Sequence, residues 1–124
     1  MKDDKQPGQI VWHDLTVDDA EHVRDFYQQV VGWTPDNVSM GEYNDFSMKA
    51  ADGETVAGVC HRRGPNKNLP AQWLMYVRVD DVKASAEKCV ALGGSVLDGP
   101  KAMGSSEFAV IKDTAGACLA IYSD

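Results

Sequence analysis

Three histidines, three cysteines and a few tyrosines and aspartates are the side chains of this sequence that could do chemistry, and their spacing narrows what that chemistry can be. His13, His22 and His61 form neither a His-x-x-x-His pattern nor any other paired ligand spacing, so they do not suggest a metallohydrolase site. Cys60, Cys89 and Cys118 are widely separated and contain no Cys-x-x-Cys, which argues against a disulfide framework and a structural zinc site and points to a reducing, cytoplasmic home. For proton transfer, His61 or Asp14 could accept and Tyr43, Tyr76 or Tyr122 could donate. Cys60 and Cys118 read as small core residues, because the sequence offers neither of them an activating partner.

The bulk charge limits partners in the same way. With a formal charge of −7, and with Arg62, Arg63 and Lys67 as its one basic cluster, the chain does not suit nucleic acid. The acidity would favour a cationic ligand, and surplus surface carboxylate accounts for it equally well. The segment Met1 to Gly8 is polar and no apolar stretch reaches membrane-spanning length, so neither a secretory leader nor a membrane partner is expected.

The elements that must position these residues come as a duplication. Val17-Asp18-Asp19 recurs as Val79-Asp80-Asp81, each copy leads into a helix-like stretch ending at a glycine, and an Asp-to-Gly turn follows in both halves. Alternation from Ile10 to Val17 predicts a strand. Asp18, three residues before Glu21, resembles a capping box for a helix carrying Ala20, Val23, Phe26, Tyr27, Val30 and Val31 up to Gly32. Pro35-Asp36-Asn37 reads as a turn, followed by strands at 38–42, 43–50 and 55–62. After a linker at 64–71 the pattern restarts with a strand at 73–79, a helix from Val82 to Leu92, and strands at 95–97, 107–112 and 117–122, with a flexible loop at 99–106. The organisation is therefore a flexible tail at 1–9 and one domain at 10–124, with module one at 10–63 and module two at 72–124.

Trp12-x-Asp14-Leu15-Thr16-Val17, Phe26-Tyr27, Gly32-Trp33, Asp52-Gly53, Val56-Ala57-Gly58, Trp73-x-x-Tyr76-x-x-Val79-Asp80-Asp81, Leu92-Gly93-Gly94 and Asp113-x-x-Gly116-Ala117 occur in an order that resembles the vicinal oxygen chelate superfamily, the group of glyoxalase I, bleomycin-resistance proteins and extradiol dioxygenases. The likeness is to its metal-poor, glyoxalase-like branch. It implies an α+β fold of two tandem βαβββ modules forming a cupped, partly open sheet with helices outside and ligand inside. Enzymes of the group hold a divalent metal through His or Glu on the first and last strands of both modules. Here the resemblance puts those positions on Trp12, Leu74 and Ala120, with the fourth within Ala57 to Val59, and no residue there can ligate. No metal and no cofactor are expected.

By strand parity the inward residues are Trp12, Asp14 and Thr16 on one first strand and Leu74, Tyr76 and Arg78 on the other, with Ala120 leaving room and Tyr122 at the far end. This mixed lining suits a small-molecule pocket, unless Asp14 and Arg78 pair with each other and Trp12 fills the space. His13 falls on the opposite, helix-facing side, and His61 points inward or lies at the rim. Trp33 and Trp73 pack outside the cup or at a subunit contact. The expectation is a metal-free small-molecule-binding protein, acting as a homodimer. The alternatives are a metal-dependent lyase, isomerase or dioxygenase of the superfamily and an antibiotic-sequestering resistance protein.

Overall fold

The repeated Val-Asp-Asp marks the same structural event twice. In the computed structural model, which describes Lys5–Asp124, the second aspartate of each copy is the cap of a helix. Asp19 accepts from the His22 backbone N–H at 3.1 Å at the start of α1 (Ala20–Val31). Asp81 accepts from the N–H groups of Lys83 and Ala84 at the start of α2 (Val82–Ala91). A short carboxylate placed there satisfies donors that a helix leaves without partners in its first turn. The cap is thus Asp19 and not the Asp18 expected from the spacing to Glu21. Gly32 ends α1 with φ 77°, in the left-handed region where a side chain would be strained.

The order of elements is βαβββ twice, in an α+β chain. Module one runs β1 (Ile10–Val17), α1, β2 (Thr34–Ser39), β3 (Asn44–Lys49) and β4 (Thr55–His61). After a short 3-10 turn at Gly64–Asn66, module two runs β5 (Trp73–Arg78), α2, β6 (Ser95–Met103), β7 (Ser106–Lys112) and β8 (Cys118–Ser123). Compact packing divides the chain into a first unit, His13–Trp73, and a second unit made of the residues up to Trp12 together with Leu74–Asp124. In the first, the strands lie in the order β2-β3-β4-β1, and in the second in the order β5-β8-β7-β6. The first four residues of the tail expected to be flexible lie outside the described residues. Gly8 and Gln9 pair with the Arg78 backbone at 2.7 and 2.9 Å.

Two expectations are corrected. Pro35-Asp36-Asn37 is strand and not turn, because β2 is an edge whose outer side needs no donor, and Pro35 lies opposite Met48 on β3. The expected loop at 99–106 is largely strand. β6 continues through Gly99 and Pro100 to Met103, and the irregularity is absorbed as a register shift between Asp98 and Lys101. Gly and Pro there mark a bulge.

Each helix covers a core of its own. Ala20 on α1 packs with Phe46, Met48, Ala57 and Val59, and Val82 on α2 packs with Ala109 and Ile121. Gly94 lets β6 leave α2 closely, since a Cβ there would lie 2.7 Å from both the Cys89 sulfur and the Lys112 carbonyl oxygen. Chemical denaturation should show Met48→Ala losing about 2–5 kcal/mol by cavity formation. Gly94→Ala should lose about 1–3 kcal/mol by overpacking.

Candidate functional site

The first and last strands of each module run parallel with the same register. Asp14 faces Gly58 and Thr16 faces Cys60, while Tyr76 faces Ala120 and Arg78 faces Tyr122. Side chains alternate across a strand, so each pair presents one common face. In the first unit the Cys60 thiol donates to the Asp14 carboxylate, at 3.6 Å to Oδ1 and 3.8 Å to Oδ2. Burial pushes the Cys60 thiol far up, and the carboxylates of Asp14 and Asp45 push it further. It stays a neutral thiol, which removes the nucleophile reading.

In the second unit the face has a packed floor and a polar edge. Leu74, Tyr76, Ala120 and Tyr122 are all buried, with the Tyr76 and Phe108 rings 6.4 Å apart. Trp12 and Arg78 are half-buried. The Arg78 guanidinium lies 5.5 Å from the Tyr122 ring centroid and donates to Asp124 at 3.0 Å, and Asp124 also accepts from the Ser106 hydroxyl. Within its own unit the partner of Arg78 is therefore Asp124. Nε of Arg78 is buried without a hydrogen-bond partner. Hydrogen bonds from Arg78 and Ser106 hold the Asp124 carboxyl below the usual range.

His61 is placed differently from the other strand residues. It shares the parity of the core residues Ala57 and Val59, and it is buried against α1, with Nε2 3.5 Å from Glu21 and Nδ1 3.3 Å from Asp45. Asp45 also accepts from the His61 backbone N–H at 2.8 Å, and the Tyr43 ring meets the imidazole edge-on at 5.2 Å. Sequence reasoning missed Asp45 and Glu21, whose positions in the text carry no signal of this meeting. The aromatic grouping of Tyr27, Trp33 and Trp73, in edge-on and tilted contacts of 5.4–5.8 Å, was likewise not legible.

No three His, Cys, Asp or Glu side chains converge on a point suited to a metal ion among the described residues. The residues at the positions suggested by resemblance are an indole, an isobutyl group and a methyl group, so the donor set does not fit a resident cation.

A two-module α+β chain with parallel first and last strands in each module is the architecture of a known family. The profile of the Glyoxalase/Bleomycin resistance protein/Dioxygenase superfamily matches residues 9–121, and the chain belongs to that superfamily. It is 33% identical over 129 residues to the anthracycline biosynthesis protein DnrV of Streptomyces peucetius, covering 94% of this chain and 47% of that protein. It is 32% identical over 118 residues to the putative glyoxylase CFP32 of Mycobacterium tuberculosis, covering 94% and 44%. The chain thus spans about half the length of the curated relatives it matches. Among solved structures, methylmalonyl-CoA epimerase of Streptomyces coelicolor with 2-nitronate-propionyl-CoA shares the fold at TM-score 0.54 and 15% identity, covering 96% of this chain and 99% of that one. The Mycobacterium tuberculosis epimerase shares it at TM-score 0.56 and 13% identity, covering 99% and 92%. No helix of the described residues is long and apolar enough to cross a membrane.

Asp45→Ala should cost about 1–3 kcal/mol in urea unfolding, since it leaves the buried His61 N–H without an acceptor. The carboxyl of Asp124 is held low in the folded state, so its stabilising effect is complete above the ordinary aspartate pKa of about 3.9 and is lost as pH falls through the depressed value. An acid unfolding series should show a shallower low-pH limb for Asp124→Asn than for the wild type.

Proposed function

We propose that the protein binds a small organic molecule on the strand face of Trp12 and Arg78 and does so without the metal ion used by enzymes of its superfamily. The observation that carries this reading is the residue chemistry at the expected ligand positions. Trp12, Leu74 and Ala120 have no lone pair suited to a divalent cation, and Ala57 to Val59 supply no side-chain donor. The same substitutions suit an organic ligand. The Trp12 indole offers a surface for stacking, and the half-buried Arg78 guanidinium suits a ligand oxygen.

The relative named for anthracycline biosynthesis supports a small organic ligand, and sequestration of such a molecule is one form of this function. The relative named a putative glyoxylase favours the alternative, a metal-dependent lyase, isomerase or dioxygenase. Homodimerisation, a reducing cytoplasm and the lack of a nucleic-acid partner belong to the same proposal. They are supported by exposed Phe26, Val30 and Val31 on α1, by three free cysteines and by the net charge of −7.

Metal analysis of protein purified without chelator should give well under one ion per chain, and a stoichiometric nickel, zinc or iron content that survives dialysis would overturn the reading. In thermal unfolding against dicarbonyls, aromatic diols and cationic antibiotics, one class should raise Tm. Arg78→Ala should weaken that binding about tenfold, the loss of one charge-assisted hydrogen bond.

A further inference from the structure

The helix-covered side of the first unit carries a feature that the strand face does not use. Strand alternation sends His13 to the opposite side of β1 from Asp14. There His13 borders, with Trp33, Val56, Ala57 and Trp73, a cavity of about 350 Å³. That volume lies near the lower end of pockets that take small organic molecules, roughly 300–1,000 Å³.

The walls are held in place. Trp33 directly follows Gly32, whose left-handed backbone turns the chain out of α1. The Trp73 indole N–H donates to the Tyr27 hydroxyl at 3.0 Å, which sets the rotation of that ring. The two indole planes cross at 74° with centroids 5.7 Å apart, and Tyr27 meets Trp73 at 77° and 5.4 Å. All three rings pack against the buried cluster of Ala20, Phe46, Met48, Ala57 and Val59. Rings braced at nearly right angles cannot slide into a parallel stack that would close the space between them. Ala57 contributes only a methyl group to the lining.

The lining chooses among ligand classes. Four of its five residues are apolar, and no carboxylate lies among them, so a cation entering would lose water with only the indole faces, and no counter-charge, to offset the loss. An anion would approach a unit with ten acidic and five basic residues in His13–Trp73. A neutral planar ring meets neither penalty. It can stack on one indole while presenting its edge to the other, the two arrangements that aromatic pairs prefer. The exposed imidazole of His13 is the one side chain of the lining that can either donate or accept a hydrogen bond.

We propose that this cavity is a binding site for a neutral, planar aromatic molecule, roughly the size of one or two fused rings, that carries one hydroxyl or comparable hydrogen-bonding group toward His13. The site is formed within the first unit and does not depend on the strand face proposed above.

The test uses the three tryptophans as reporters, since each indole N–H gives its own cross-peak in a nitrogen-15 correlation spectrum. Titration of the full chain with 2-naphthol should move the Trp33 and Trp73 cross-peaks saturably and leave that of Trp12 in place. Val56→Phe, which fills the cavity from a half-buried position, should weaken the effect about tenfold or more, and His13→Ala, at an exposed position, should weaken it about threefold. Both variants are accepted as tests only with a wild-type unfolding midpoint, and His13→Ala stands alone if Val56→Phe does not fold. The inference is overturned if 2-naphthol moves no indole peak, if it moves Trp12 alone, if neither folded variant weakens binding, or if tetramethylammonium moves the Trp33 and Trp73 peaks and 2-naphthol does not.

Discussion

The parallel register between the first and last strands of each module is the constraint on which the rest of the molecule depends. Cα partners are 44 residues apart in both modules, Asp14 with Gly58 and Tyr76 with Ala120. The main polar contacts follow from that offset one diagonal step further on, Asp14 with Cys60 and Arg78 with Asp124, both 46 residues apart. A shift of one residue would turn every side chain to the other face and break both contacts at once. The duplicated text therefore encodes a duplicated geometry, while the chemistry placed in it has diverged.

That divergence separates the two units in character. In the first, a carboxylate faces a thiol that burial and charge keep protonated. In the second, a guanidinium is held by a carboxylate and lies over a buried tyrosine. Among the described residues neither combination is part of a cluster suited to a metal ion. His61, which appears from sequence to be an attractive acid–base group, is committed to α1 and β3 through Glu21 and Asp45. These contacts join β4 to α1 and β3.

Membership of the superfamily says more about architecture than about reaction. The two epimerase structures share the fold at 15% and 13% identity, a level at which side-chain roles do not carry across. The curated relatives are nearer in sequence, yet this chain spans less than half of each. Function has to be argued from the residues present.

The sequence by itself determined the features that act over a few residues. Alternation placed β1, helical spacing placed α1 and α2, and the Val-Asp-Asp repeat marked two helix starts. Even locally it misjudged Pro35 and the Gly99-Pro100 step, since breakers are tolerated at an edge or a bulge that only strand pairing creates. Tertiary structure alone decided that Asp124 would hold Arg78, that Glu21 and Asp45 would enclose His61, and that Trp33 and Trp73 would form a corner beside His13. Caps and periodicity are set by neighbours along the chain. These meetings are set by register and packing between strands and helices remote in sequence, and no local pattern records them.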